Sequence, residues 1–295
     1  MPLPGKQREH HPSISFEFFP PKTEKGFTKL KERIKNDFVP LKPSYVSITY
    51  GAGGGTRDLT KQTLLAIKKE TGLPVVSHLT CVGNVRDEIR TILEDYRSAG
   101  IHNVLALRGD PPKGSPPVLP NPDGFAYAAD LVRFIKEYDS SFNVGVAGFP
   151  EGHPATPNRL VEMDHLKEKV DAGADYICTQ LFFDNNDFFD FKERCLLSGI
   201  TVPVIAGIMP VVSRNNLQRM AELSPGTRFP AGLLKSVSRA RSDEQVEQIG
   251  IHWAAQQVME LLAADTAGVH FYTLNQSRAT REIYRSLGID DSEQL

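Results

Sequence analysis

Eight short apolar segments recur along the chain, at 14–18, 45–49, 75–80, 103–110, 144–149, 176–180, 202–207 and 269–273, and nearly every one ends on a polar or ionisable residue. Each is followed by a stretch with helical patterning, at 24–36, 59–70, 86–99, 126–138, 159–172, 186–198, 214–223, 243–264 and 278–287. Pro20 and Pro21 after the first segment can neither continue a strand ladder nor sit inside a helix, so they separate the two. Gly100, Gly173 and Gly199 stand where a left-handed residue would turn the chain out of a helix. This βα alternation predicts a single (β/α)8 barrel over 13–295, with a polar, disordered tail at 1–12. About sixty residues separate the seventh and eighth segments, more than one crossover needs, which predicts an extra helical segment around 243–264 before the last strand. Active sites of such barrels lie at the carboxyl ends of the strands, so Glu17, Thr49, His78, Asp110 and Gln180 are expected at one mouth.

Composition narrows the function. The 295 residues are 40% hydrophobic, enough to bury one large core. A formal net charge of -2 supplies no basic stripe for nucleic acid, and no apolar run reaches membrane length. Without a signal peptide the protein is expected in the cytoplasm. Cys81, Cys178 and Cys195 are odd in number and lack CxxC spacing, so buried, reduced thiols are expected, with neither disulfides nor a metal site.

Within 16–21, FEFFPP, alternation places Phe16 and Phe18 on one face and Glu17 on the other. With the phenylalanines against the helices, Glu17 points inward, where a half-desolvated carboxyl suits general acid catalysis. The other reading is a carboxylate paired with a barrel arginine. In Arg108-Gly109-Asp110, the guanidinium can meet phosphate, the glycine permits close approach of a ligand, and the aspartate adds a second mouth carboxylate; a structural Arg–Asp pair is the alternative. The glycine run at 51–55 matches neither dinucleotide nor P-loop spacing and reads as a flexible mouth loop. His78 is either a cofactor contact or a satisfied core histidine, and the same choice stands for Thr49 and Gln180. His153 lies in a loop after the fifth segment, a position that favours ligands. Glu162 and Lys169 ride the next helix and read equally as a solvated face. A Schiff-base aldolase would need a lysine at an inner strand end, which none of the eight segments supplies. A non-catalytic binding barrel would not need both Glu17 and Asp110 at the mouth.

The chain closely resembles the methylenetetrahydrofolate reductases, in their bacterial form without a regulatory domain. The resemblance is carried by SFEFFPP at 15–21, VSITYG at 46–51, SHLTC at 77–81, ALRGD at 106–110, YAAD at 127–130, PEGHP at 150–154, KVDAGA at 169–174, TQLFFD at 179–184, GIMP at 207–210 and HFYTLN at 270–275. It implies non-covalent FAD, reduced by NADH or NADPH, which passes hydride to 5,10-methylenetetrahydrofolate in a ping-pong sequence. By resemblance Glu17 is the acid that opens the methylene bridge, Asp110 sits by the flavin ring, and Gln180 bonds the pterin. Thr49, His78, Arg108, Gly109, Tyr127, Ala128, His153 and Lys169 are carried over as FAD contacts. Three positions depart from the bacterial pattern: Phe149 replaces a tyrosine and Glu162 an aspartate near FAD, and Gln276 replaces an arginine at the folate or nicotinamide, with Arg278 or Arg281 as candidate substitutes. The resemblance further implies a homo-oligomer, and no inhibition by S-adenosylmethionine.

Overall fold

Eight parallel strands, β1 (Ser13–Phe18), β2 (Tyr45–Ile48), β3 (Val75–Thr80), β4 (Asn103–Leu107), β5 (Asn143–Gly148), β6 (Tyr176–Thr179), β7 (Val204–Ile208) and β8 (Gly268–Tyr272), pair in chain order and close into a barrel in the computed structural model. The structure describes residues 11–50, 57–109 and 123–295. Every predicted apolar segment supplies a strand. Closure sets Ser15 opposite His270 and Glu17 opposite Tyr272.

Strands covered on both faces read as nearly continuous apolar runs, and all six residues of β1 are buried. The pleat nevertheless divides them. Phe16 and Phe18 turn outward, each with its ring 4.9 Å from that of Phe38. Ser15 and Glu17 take the opposite face. The axis below them is filled by Tyr45, Val76, Leu105, Tyr176, Cys178 and Ile205. All three cysteines are free and buried.

The helices are α1 (Glu24–Arg33), α2 (Arg57–Thr71), α3 (Arg86–Ser98), α4 (Ala128–Tyr138), α5 (Arg159–Asp171), α6 (Asn185–Leu197), α7 (Arg214–Leu223), α8 (Ala231–Arg239), α9 (Asp243–Ala263) and α10 (Arg278–Ser286). Side-chain oxygens of Thr23, Asn158, Asp184, Ser213 and Ser242 accept first-turn backbone N–H groups and so start α1, α5, α6, α7 and α9. The expected turn glycines, Gly100, Gly173 and Gly199, have φ of 66°, 113° and 71°. A π-helical turn, Ile34–Phe38, extends α1 and delivers Phe38 to the outer face of β1.

The extra helical material before β8 is present, but it is distributed differently from the expectation. The segment expected as the addition forms α9, which packs against β7, α6 and α10 and therefore holds the crossover position. The additional helices are α7 and α8. Their Met220, Leu233 and Val237 form a second core with Leu181, Phe183, Met209 and Val211, beyond the ends of β6 and β7. Trp253 and Gln257 of α9 donate to the carbonyls of Phe183 and Phe182 and fix the chain that follows β6.

Residues 1–10 of the expected tail, the glycine run at 51–55, Asp110 and the proline-rich loop at 111–122 lie outside the described residues. Next to the first of these, His11 Nδ1 lies 2.6 Å from the Leu295 carbonyl. Among the described residues no helix is long and apolar enough to cross a membrane.

Candidate active site

Glu17 occupies an inward position near the carboxyl end of β1, as the alternation predicts, and is 6% exposed. Its Oε2 stands 3.4 Å from His78 Nε2 and 3.7 Å from His270 Nε2. Among the described residues no lysine or arginine is within ion-pair distance, so the reading as a carboxylate paired with a barrel arginine is not realised there. Burial pushes the His78 imidazole below its ordinary range, with Glu17 opposing and His270 reinforcing. His78 Nε2 is buried without a hydrogen-bond partner among the described residues, which argues against a satisfied core histidine.

Four neighbours of this carboxylate were not singled out by sequence reasoning. His270 Nδ1 lies 2.7 Å from Ser15 Oγ and its Nε2 lies 3.4 Å from Ser47 Oγ. Tyr272 stands edge-on to the His270 ring at 5.3 Å and donates its hydroxyl to the Thr179 carbonyl at 2.6 Å. The available signal was strand parity: Gly268, His270 and Tyr272 share one face of β8, and β8 closes onto β1. Burial raises Tyr45, Tyr176, Tyr272 and Cys178 above their ordinary ranges, so these inward groups stay neutral.

The residues expected at a cofactor form a band over β2 to β5. Thr49 directly follows β2, donating its N–H to the Phe18 carbonyl and accepting from Thr60 Oγ1 at its own carbonyl. Arg108 is exposed just past β4. Gly109 has φ of 80°, and a Cβ there would fall 2.9 Å from Thr80 Cβ, so only glycine passes this point without strain. Tyr127, 65% exposed, precedes Ala128 at the start of α4 and accepts from Cys81 Sγ at its carbonyl. Phe149 stands edge-on to His153 with centroids 4.6 Å apart. The His153 N–H donates to Glu162 Oε1, while Glu162 Oε2 makes no hydrogen bond among the described residues and lies 3.8 Å from Arg159. Burial raises the Glu162 carboxyl and lowers the Lys169 ammonium to about 8, each moderated by the other. Lys169 donates to the Ala147 carbonyl at 2.6 Å. Neither Glu162 nor Lys169 belongs to a solvated face.

The residues expected at the substrate are less gathered. Gln180, directly after β6, folds its Oε1 onto the Leu181 N–H. Gln276 is exposed in the turn between β8 and α10. Its two candidate substitutes are engaged elsewhere, Arg278 by Glu247 at 3.2 Å and Arg281 by Asp37 at 3.2 Å. Asn275 of that turn clamps Phe19, accepting from its N–H and donating to its carbonyl. Asp110 lies outside the described residues.

Comparison with known proteins gives a consistent result. Residues 5–288 match the sequence profile of the family described as Methylenetetrahydrofolate reductase. Over 96% of its length the chain is 40% identical to methylenetetrahydrofolate reductase (NADH) 1 of Arabidopsis thaliana, covering 49% of that protein, so it spans about half the length of this plant relative. It is 38% identical to 5,10-methylenetetrahydrofolate reductase of Salmonella typhimurium, covering 94% of this chain and 91% of the bacterial one. Among solved structures, a Clostridium thermocellum protein described as binding two copies of 5-methyl-5,6,7,8-tetrahydrofolic acid superposes with a TM-score of 0.71 at 15% identity, over 97% of this chain and 96% of its own.

Proposed function

The chain belongs to the methylenetetrahydrofolate reductase family, and from that premise we propose that it reduces 5,10-methylenetetrahydrofolate to 5-methyltetrahydrofolate, with NADH or NADPH as reductant and non-covalent FAD as carrier, in a ping-pong sequence. The observation that carries this reading is Glu17: a buried carboxyl at an inner strand end whose ionic neighbours among the described residues are imidazoles. A carboxyl in that place is within reach of a substrate at the strand ends, where a general acid is needed.

The residues fit a flavin. His78 Nε2 and Glu162 Oε2 are buried and make no hydrogen bond among the described residues, only looser ionic contacts to Glu17 at 3.4 Å and Arg159 at 3.8 Å. The backbone at Gly109 is bare, and the Tyr127 ring stands free beside Ala128. FAD, when bound, would supply the two-electron chemistry that links the nicotinamide to the folate. The chain's own residues do the rest. Arg108 meets the pyrophosphate, and Lys169 adds a second positive charge, held by the Ala147 carbonyl. Thr49, His78, Gly109, Tyr127, Ala128, Phe149, His153 and Glu162 would hold the remainder, and the resemblance assigns Asp110 to the flavin as well. Gln180 bonds the pterin and Gln276 assists at the substrate. Glu17 delivers a proton to the bridging nitrogen, opening the five-membered ring to an iminium that accepts hydride. The enzyme works in the cytoplasm as a homo-oligomer.

A visible spectrum tests this directly. The purified protein is expected to be yellow, to hold about one FAD per chain, to bleach anaerobically with NADH or NADPH and to recolour with methylenetetrahydrofolate. A colourless protein that takes up no added FAD contradicts the reading.

A further inference from the structure

Every residue of β1 is buried, yet Phe19, the next along the chain, is 41% exposed. An exposed phenylalanine by itself means little, but the backbone of this one is held on both sides. Phe19 precedes Pro20, which restricts it to extended conformations, and neither Pro20 nor Pro21 can continue a ladder. The Phe19 N–H donates to Asn275 Oδ1 at 2.8 Å, and its carbonyl accepts from Asn275 Nδ2 at 2.9 Å. One side-chain amide thus does for Phe19 what β8 and its end do for earlier residues of the same parity, since the Ser13 N–H donates to the Ala267 carbonyl and the Glu17 carbonyl accepts from Thr273 Oγ1. Ile14 and Phe18 bond the other way, their carbonyls accepting from the N–H groups of Ser44 and Thr49. The alternation therefore runs one residue past β1, and Phe19 falls on the face of Ser15 and Glu17, about 6.6 Å further out than the acid. The turn that supplies the clamp is strained. Leu274 and Asn275 are consecutive non-glycine residues with φ of 50° and 59°, and a left-handed leucine persists only where its surroundings hold it. Leu274 packs against the second core, the Asn275 N–H donates to Thr273 Oγ1 at 3.1 Å, and Arg33 donates to the Asn275 carbonyl.

We propose that Phe19 is a substrate-binding residue of the folate step, its ring the surface on which the aryl ring of the folate lies, and that Asn275 is the positioning residue that keeps it there. The chemistry of the reaction selects that part of the substrate. Because the product is the 5-methyl compound, the methylene carbon stays on the pterin nitrogen and its bond to the other bridging nitrogen breaks, the electron pair remaining on the nitrogen that leaves. That nitrogen takes the proton, and it is bonded directly to the aryl ring of the aminobenzoyl group. With the nitrogen at Glu17, the ring it carries reaches the next position outward on the same face of the strand. That position is Phe19. The inference rests on the reductase reading and names the part of the substrate that the chain meets beyond the acid.

In the FAD-loaded enzyme, reduced beforehand and mixed with methylenetetrahydrofolate at a series of concentrations, stopped flow gives an apparent dissociation constant for the folate and a limiting rate. Phe19→Leu, which keeps an apolar side chain but removes the ring, should raise that constant about threefold to tenfold, as loss of one aromatic contact does. Phe19→Tyr, which restores the ring, should return it to within about twofold of wild type. Bleaching by NADH should change by less than about twofold in both variants, because the nicotinamide has no aryl amine to place beyond Glu17. A folate constant unchanged in Phe19→Leu, one not restored by tyrosine, or an equal weakening toward NADH overturns the proposal. Asn275→Ala tests the clamp. Alone it should weaken the folate about as much as Phe19→Leu, and added to Phe19→Leu it should change the constant by less than about twofold further. Effects that multiply would mean that the turn acts on the acid or the fold, and would overturn the role of Asn275. Where Asn275→Ala does not fold, the two Phe19 variants decide. A wild-type protein that binds FAD but reduces no methylenetetrahydrofolate removes the reductase reading instead, whereas an active wild type with an indifferent Phe19→Leu removes this inference alone.

Discussion

At the residue scale, the inward turn of Glu17 was legible because two phenylalanines flank it and a strand can send only one parity to the helices. His270 obeys the same parity but lies 255 residues from Ser15, and a contact created by barrel closure has no local signature. The Phe149 departure is testable. Its ring stands against His153, and a tyrosine would add one hydroxyl to that contact. One hydrogen bond contributes about 1 kcal/mol, so Phe149→Tyr should tighten FAD by no more than about tenfold, measured by flavin fluorescence quenching. An unchanged dissociation constant shows that the ring alone matters. Lys169 supplies a pH dependence. Burial lowers its ammonium from 10.5 to about 8, so between those values the folded chain holds fewer protons than the unfolded one. The stability of the FAD-free protein should therefore rise with pH across that window, and below about pH 8 the penalty for the buried charge is fully present. An anionic ligand beside the ammonium restores its proton. FAD binding should accordingly take up a proton above about pH 8 and weaken as pH rises, a dependence that Lys169→Met removes in calorimetry across buffers of different ionisation heat. The same dependence in the variant assigns the proton to another group.

At the element scale, the strands were legible because each apolar run is short and is followed by a helical stretch. The role of the helices before β8 was not. Periodicity marks a helix but does not say which of three consecutive helices covers the sheet, and that choice is made by close packing. Gly250 shows how. On α9 a Cβ at this position would fall 1.8 Å from the Val211 carbonyl oxygen, so α9 approaches the end of β7 through a gap in its own side chains. Gly250→Ala should cost about 1–3 kcal/mol by overpacking, despite alanine's better helix propensity, as read from urea denaturation of the apoprotein. A loss smaller than about 0.5 kcal/mol would mean that α9 shifts freely and that its crossover position is not fixed there.

For the whole molecule, parallel closure brings to one mouth residues that the chain scatters from β1 to β8. The glycine loop that sequence reasoning also sends there, 51–55, lies outside the described residues together with Asp110, so the second mouth carboxylate stands on the sequence reading alone. The barrel itself follows from alternation and spacing. The chemistry followed from motif identity, because no short-range pattern distinguishes an acid from a structural carboxylate. The central claim is that Glu17 serves the folate step and not the nicotinamide step. Hydride transfer to FAD needs no proton delivered to a folate nitrogen, whereas opening the methylene bridge does. Anaerobic stopped flow of Glu17→Gln against wild type, following flavin bleaching by NADH and then its reoxidation by methylenetetrahydrofolate, separates the two. The account predicts a loss of about 10²-fold or more in reoxidation, with bleaching changed by less than about tenfold. Equal slowing of both steps would contradict it, and would make Glu17 a support for the flavin or the fold.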